Sequence, residues 1–175
     1  MRRGRPEVWI EEDVADTLRE EASFKYPLET GGVLLGYWVR PGWEAVILNV
    51  IGPGPKAVHE RTWFKPDSEF HEREIARLFQ ETAGETLYLG DWHTHPDAAV
   101  PRPSPQDRRT VRRIAEELSA QAEQPLMLIL GGAPTEWQTG AWVGSLWPRW
   151  SSMNGVIMRS AVLRIFRTAP HSPLT

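Results

Sequence analysis

The apolar positions of the chain recur at two spacings, and the switches between them divide it into elements. Val14, Leu18 and Ala22 fall every four residues, which predicts an amphipathic helix over 12–23. A second helix is predicted over 67–83, with His71, Ile75, Leu78 and Phe79 on one stripe, Pro66 and Asp67 as its start and Gly84 as its stop. A third opens at Ser104-Pro105-Gln106-Asp107 and turns Val111, Ile114, Ala115 and Leu118 inward. Between them the pattern is that of strands. Residues 31–39 and 43–51 are rich in Val, Leu, Ile and Trp, and Arg40-Pro41-Gly42 between them predicts a hairpin. Residues 7–10, 86–92 and 136–144 also read as strands, and the unbroken apolar run at 125–130 as a strand buried on both faces. Residues 156–166 fit helix or strand equally. Loops are marked by Gly52-Pro53-Gly54-Pro55 and by Pro101, Pro103 and Pro105. Strands interleaved with helices predict an α/β (α+β) sandwich.

Composition narrows the functional classes. The 175 residues suit one domain over 1–169, followed by a disordered tail over 170–175 that contains Pro170 and Pro173. The net charge of -3 gives no basic footprint for nucleic acid. Arg2-Arg3-Gly4-Arg5 reads as a solvated terminus, and Arg108-Arg109 with Arg112-Arg113 as a solvated helix face. No apolar run approaches the ~20 residues of a membrane span, and no apolar stretch follows Met1-Arg2-Arg3. Cysteine is absent. That fits a reducing cytoplasm, and it excludes thiolate metal sites and cysteine nucleophiles. Peptide-bond chemistry would have to run through a metal, a hydroxyl or a carboxylate.

His93 and His95 are two apart on a predicted strand, so both imidazoles share a face and can converge on one ion. Alone, such a pair is better explained by exposed or hydrogen-bonded histidines, because zinc needs further ligands at the right distance. Ser104, Pro105 and Asp107 form a complete helix start, with a capping serine, a first-position proline and a first-turn acid. An Asp there can also face the end of a neighbouring strand and supply a third ligand, leaving a fourth position open, as in catalytic zinc sites. Glu29 precedes Thr30-Gly31-Gly32 at a strand mouth. It reads either as a surface carboxylate or as a base beside glycines that admit close approach of another element.

Together, Glu29, His93-Thr94-His95-Pro96, seven further residues and Ser104-Pro105-Gln106-Asp107 match the JAMM metalloprotease motif in type and spacing. The chain resembles the prokaryotic JAB branch of the MPN-domain family over about residues 7–145. The resemblance implies a JAMM/MPN-like (cytidine-deaminase-like) sheet flanked by helices. It also implies zinc held by His93, His95 and Asp107, with Glu29 as general base and Ser104 as the hydroxyl that meets the oxyanion. His-Glu-x-x-His and a Gly-x-Ser-x-Gly elbow do not occur.

Family members of this type cut after the C-terminal tail of a ubiquitin-like protein or a sulfur carrier, and the chain looks like stand-alone bacterial JAB peptidases. Some of these serve antiphage (CBASS) systems that conjugate a cGAS-like nucleotidyltransferase. The protein substrate would then be such a conjugate, its extended tail adding a strand to an edge expected within 52–64. Processing of a sulfur carrier and a non-catalytic MPN scaffold are the alternatives. Of the nine tryptophans, Trp137, Trp142, Trp147 and Trp150 crowd one region, read as core by default and as a partner surface otherwise. His71 reads as a packed histidine, His59 as a loop residue within reach of substrate, and His171 carries no assignment.

Overall fold

The computed structural model describes residues 4–117, 122–147 and 155–167. Along the chain run β1 (Glu7–Glu11), α1 (Glu12–Lys25), β2 (Gly31–Arg40), β3 (Glu44–Ile51), β4 (Val58–His59), β5 (Phe64–Lys65) and α2 (Ser68–Glu81). There follow β6 (Leu87–Pro96), α3 (Pro105–Glu116), β7 (Leu126–Gly132), β8 (Gln138–Leu146) and β9 (Val156–Phe166). The expected α/β class holds, and the hairpin of β2 and β3 pairs antiparallel as predicted.

The sheet goes further than a flat layer, because its order β1-β3-β2-β6-β7-β8-β9 closes into a barrel. β1 makes the closure by pairing in parallel with both β3 and β9, Trp9 lying opposite Val46 on one side and Arg164 on the other. This decides residues 156–166: they are a strand, because the barrel needs a partner between β8 and β1. Curvature comes from local irregularities, including a register shift in the β2–β6 pairing. Gly90 sits beside that shift, and a Cβ there would stand 2.0 Å from the Leu126 carbonyl oxygen.

One apolar cluster fills the barrel with residues from all seven of its strands, among them Val8, Leu34, Ile47, Trp92, Leu128, Val143 and Ala161. Ala15, Leu18 and Ala22 of α1 join it. α2 packs on the opposite face of β2, bringing Phe70, Ile75 and Leu78 against Val33, Leu35 and Ile51. α3 lays Val111 against Met127 and Ile129, with Trp142, Val156 and Met158 around them. β2 and β7 are therefore covered on both faces, which is why their sequences run apolar without alternation while β1 alternates.

Phe79 departs from its predicted stripe and is 48% exposed. At about 100° per residue it lies about 80° around α2 from His71, past the edge of the buried face. Trp137 packs against the main core and donates to Ser23 Oγ at 2.9 Å, so it and Trp142 are packing residues. Trp150, Leu118 and the expected tail over 170–175 lie outside the described residues. No helix among the described residues is long and apolar enough to cross a membrane.

Candidate metal centre

β6 lies between β2 and β7, with His93 opposite Gly31 on one neighbour and Ile129 on the other. Strand alternation divides its residues. Trp92 and Thr94 are buried, while His93 and His95 share the opposite direction. α3 begins against that face. Ser104 Oγ accepts from the Asp107 N–H at 3.2 Å, and Asp107 Oδ2 accepts from the Ser104 N–H at 2.6 Å, a reciprocal capping box. The cap orients the carboxylate toward the histidines: Oδ1 lies 3.2 Å from His93 Nε2 and Oδ2 lies 3.4 Å from His95 Nε2. The two Nε2 atoms are 3.0 Å apart.

These separations test whether the trio fits a metal. Ligands at about 2.0–2.1 Å from a tetrahedral ion stand about 3.3–3.4 Å from one another. The two imidazole nitrogens, 3.0 Å apart, come near that spacing; each has an Asp107 oxygen at 3.2 or 3.4 Å, a different one for each ring, and with one atom from each residue the three potential ligands lie within 4.8 Å of one another. The donor set is two imidazole nitrogens and a carboxylate oxygen, and His93 and Asp107 are buried. Such a set suits a divalent cation and leaves room for a further ligand.

The charges in the trio depend on one another. Burial opposes ionisation of Asp107, but hydrogen bonds with both imidazoles and the Ser104 N–H hold its carboxyl far below the usual range. Burial works against a protonated His95, yet Asp107 and then Glu29 raise its pKa overall. Glu29 shares the cleft, and burial lifts its carboxyl above the ordinary value against the pull of His93 and His95.

Glu29 reaches the cleft because the next residue is tied to the ligand strand. The Thr30 N–H donates to Thr94 Oγ1 at 2.9 Å, and the Thr94 N–H donates to the Thr30 carbonyl at 2.9 Å. Gly31 permits the approach, since a Cβ there would stand 2.3 Å from the Trp92 carbonyl oxygen and 2.7 Å from Phe64 Cε1. The five motif residues thus gather at one place. Ser104 is occupied as an acceptor by its cap, which uses a lone pair and leaves its O–H free to donate.

The cleft, about 300 Å³, is lined also by Lys65, Asp91, Gln106 and Arg113. The sequence assigns Asp91 no role, although it is two residues before His93 on the same strand and the period of two points to it. Burial raises its carboxyl, against the pull of the Tyr88 hydroxyl that donates to it at 2.7 Å. Arg113, on the helix face that the sequence predicts to be solvated, is exposed and also borders this cleft. His71 is packed as expected, its Nε2 donating to the Gly52 carbonyl at 2.8 Å. The expected edge over 52–64 is a small separate ribbon, β4 paired antiparallel with β5, whose Phe64 and Lys65 line the cleft.

Residues 11–143 match the model of a family described as prokaryotic homologs of the JAB domain. A probable metalloprotease of Sinorhizobium fredii is 37% identical over 161 residues, covering 92% of this chain and 98% of the relative. A CD-NTase/cGAS isopeptidase of Escherichia coli is 34% identical over 110 residues, 62% of this chain and 65% of that protein. Its counterpart in Vibrio cholerae is 31% identical over 109 residues, with the same coverage. Among solved structures, the solution structure of a Desulfitobacterium hafniense protein covers 94% of this chain and 96% of its own at a TM-score of 0.64 and 16% identity, a likeness of fold.

Proposed function

The chain belongs to the family of prokaryotic homologs of the JAB domain, and on that footing we propose that this metallopeptidase is a zinc isopeptidase cutting after the extended C-terminal tail of a conjugated protein. The observation that carries the reading is the convergence of His93, His95 and Asp107 at 3.0–3.4 Å beside Glu29. His93, His95 and Asp107 would hold the ion. When bound, it supplies Lewis-acid chemistry, acidifying a water and polarising a carbonyl.

The chain's own residues do the rest. Glu29 takes the proton from the attacking water and returns it to the leaving amine. The Ser104 O–H, left over by the cap, donates to the oxyanion. The substrate tail lies extended along the β4–β5 ribbon, whose Phe64 and Lys65 border the cleft.

The isopeptidase relatives favour a conjugated CD-NTase or cGAS-like nucleotidyltransferase as substrate; a role in antiphage defence in the cytoplasm is part of this proposal. The match spans 65% of the Escherichia coli relative, so its substrate is carried over as part of this proposal. Residues 1–169 act as one domain.

Incubation with fusions that bear the tail of a CD-NTase, a ubiquitin-like protein or a sulfur carrier tests the reading. Cleavage after the last tail residue of the CD-NTase fusion, abolished by a chelator and restored by zinc, is the expected result. Cleavage of the sulfur-carrier fusion alone would replace the substrate, and no metal-dependent cleavage of any fusion would reject the isopeptidase.

A further inference from the structure

Glu29 is anchored through its backbone on the side away from the barrel. Its N–H donates to the Glu60 carbonyl at 2.7 Å, and its carbonyl accepts from His59 Nδ1 at 2.9 Å. Both partners belong to the β4–β5 ribbon. His59 lies opposite Phe64, and the Glu60 N–H donates to the Trp63 carbonyl at 3.0 Å to close the turn. The His59 and Phe64 rings stack at 6.0 Å and 23°, which holds the imidazole in register with the carbonyl. A carbonyl partner requires the hydrogen on Nδ1, so the bond also selects the tautomer.

One residue on, Thr30 is fully buried and bonded to Thr94 of the barrel. Glu29 therefore stands between two anchors of unequal strength. The barrel side has the core behind it. The ribbon side has two residues per strand and a ring stacked on a half-buried histidine.

We propose that His59 is a positioning residue for Glu29: by donating Nδ1–H to the Glu29 carbonyl, it makes the ribbon set where the carboxylate stands in the cleft. The inference rests on Glu29 being the general base. His59 ligates nothing and touches no reacting atom; it acts through the backbone of residue 29. A group displaced by about 1 Å from its working position loses about 10²-fold in rate, and one bond to a carbonyl is enough to allow that displacement.

Two near-isosteric variants test it. His59→Asn keeps a side-chain N–H close to the position of Nδ1, whereas His59→Gln moves it toward that of Nε2 and leaves the Glu29 carbonyl unpartnered. Zinc content, exchange of the Glu29 amide hydrogen, and kcat and KM on a cleaved tail fusion are read for each, with Glu29→Ala alongside. His59→Gln should bind one zinc per chain, exchange the Glu29 amide about tenfold faster, and lose about 10²-fold in kcat at nearly unchanged KM. His59→Asn should restore both values.

Wild-type exchange and kcat in His59→Gln would overturn the inference. So would equal losses in both variants, which mean packing rather than donation, or loss of zinc from His59→Gln. Full activity of Glu29→Ala would instead reject the base, and with it this role for His59. If no fusion is cleaved, the exchange comparison of the two variants decides the anchor on its own.

Discussion

The two sides of the cleft are built on unequal scaffolds. The histidines stand on a strand flanked by two others, with Trp92 and Thr94 sealed in the core between and beside them. Asp107 is fixed by a reciprocal cap at the head of a helix packed on β7. Glu29 instead sits in a short connection, fastened on one side to the barrel and on the other to a two-residue ribbon. The difference teaches that metal binding and proton transfer are separable here. The donors are set by the fold, whereas the base is set by a local contact.

The largest expected effect breaks the rigid side. Asp107→Ala removes one of three donors and one half of the capping box, so metal content should fall to background and hydrolysis with it. Metal analysis and a cleavage assay on the same preparation check this. A variant that kept stoichiometric metal would show that the carboxylate is only a cap.

Next comes the loose side. Glu29→Gln should keep the metal and fold while kcat falls about 10²–10⁴-fold, the usual share of a general base. Wild-type turnover would remove Glu29 from the chemistry. Loss of metal would mean that the two sides are not separable after all.

A smaller effect sharpens the comparison through pH. His95 has a raised pKa in the metal-free site, because Asp107 and Glu29 outweigh the burial that opposes its charge. Its contribution to metal-free stability is complete below its unfolded value near 6.5 and is lost as pH rises through the raised value. Asp107 has a lowered pKa, so its contribution is present above about 3.9 and is lost as pH falls toward the lowered value. Metal binding runs the other way, since the ring must lose its proton to ligate. Apparent affinity should fall about tenfold per unit as pH drops below the raised His95 value. Calorimetric titrations across pH 5–8 check this; affinity flat over that range would take His95 out of the ligand set.

Much of this site is legible in the sequence because its logic is local. A period of two aligns His93 with His95, and a helix-start pattern positions Asp107. Asp91 obeys the same period, but the five-residue motif does not include it, so the pattern gives it no role. The closure of the barrel has no local signal, since Trp9 and Arg164 meet across nearly the whole chain. His59 is similar. Its bond to the Glu29 carbonyl spans 30 positions and engages a backbone atom that every residue has, so no pattern of side chains announces it. Periodicity did resolve the packing of α2, apart from Phe79 at the margin of its stripe.

The central claim is that two imidazoles and one carboxylate share a cation. X-ray absorption at the zinc edge of the zinc-loaded protein tests it most directly. One zinc per chain with two imidazoles and oxygen ligands at about 2.0–2.1 Å is the predicted result. A folded protein that takes up no stoichiometric zinc, or a spectrum with fewer than two imidazoles, would contradict it.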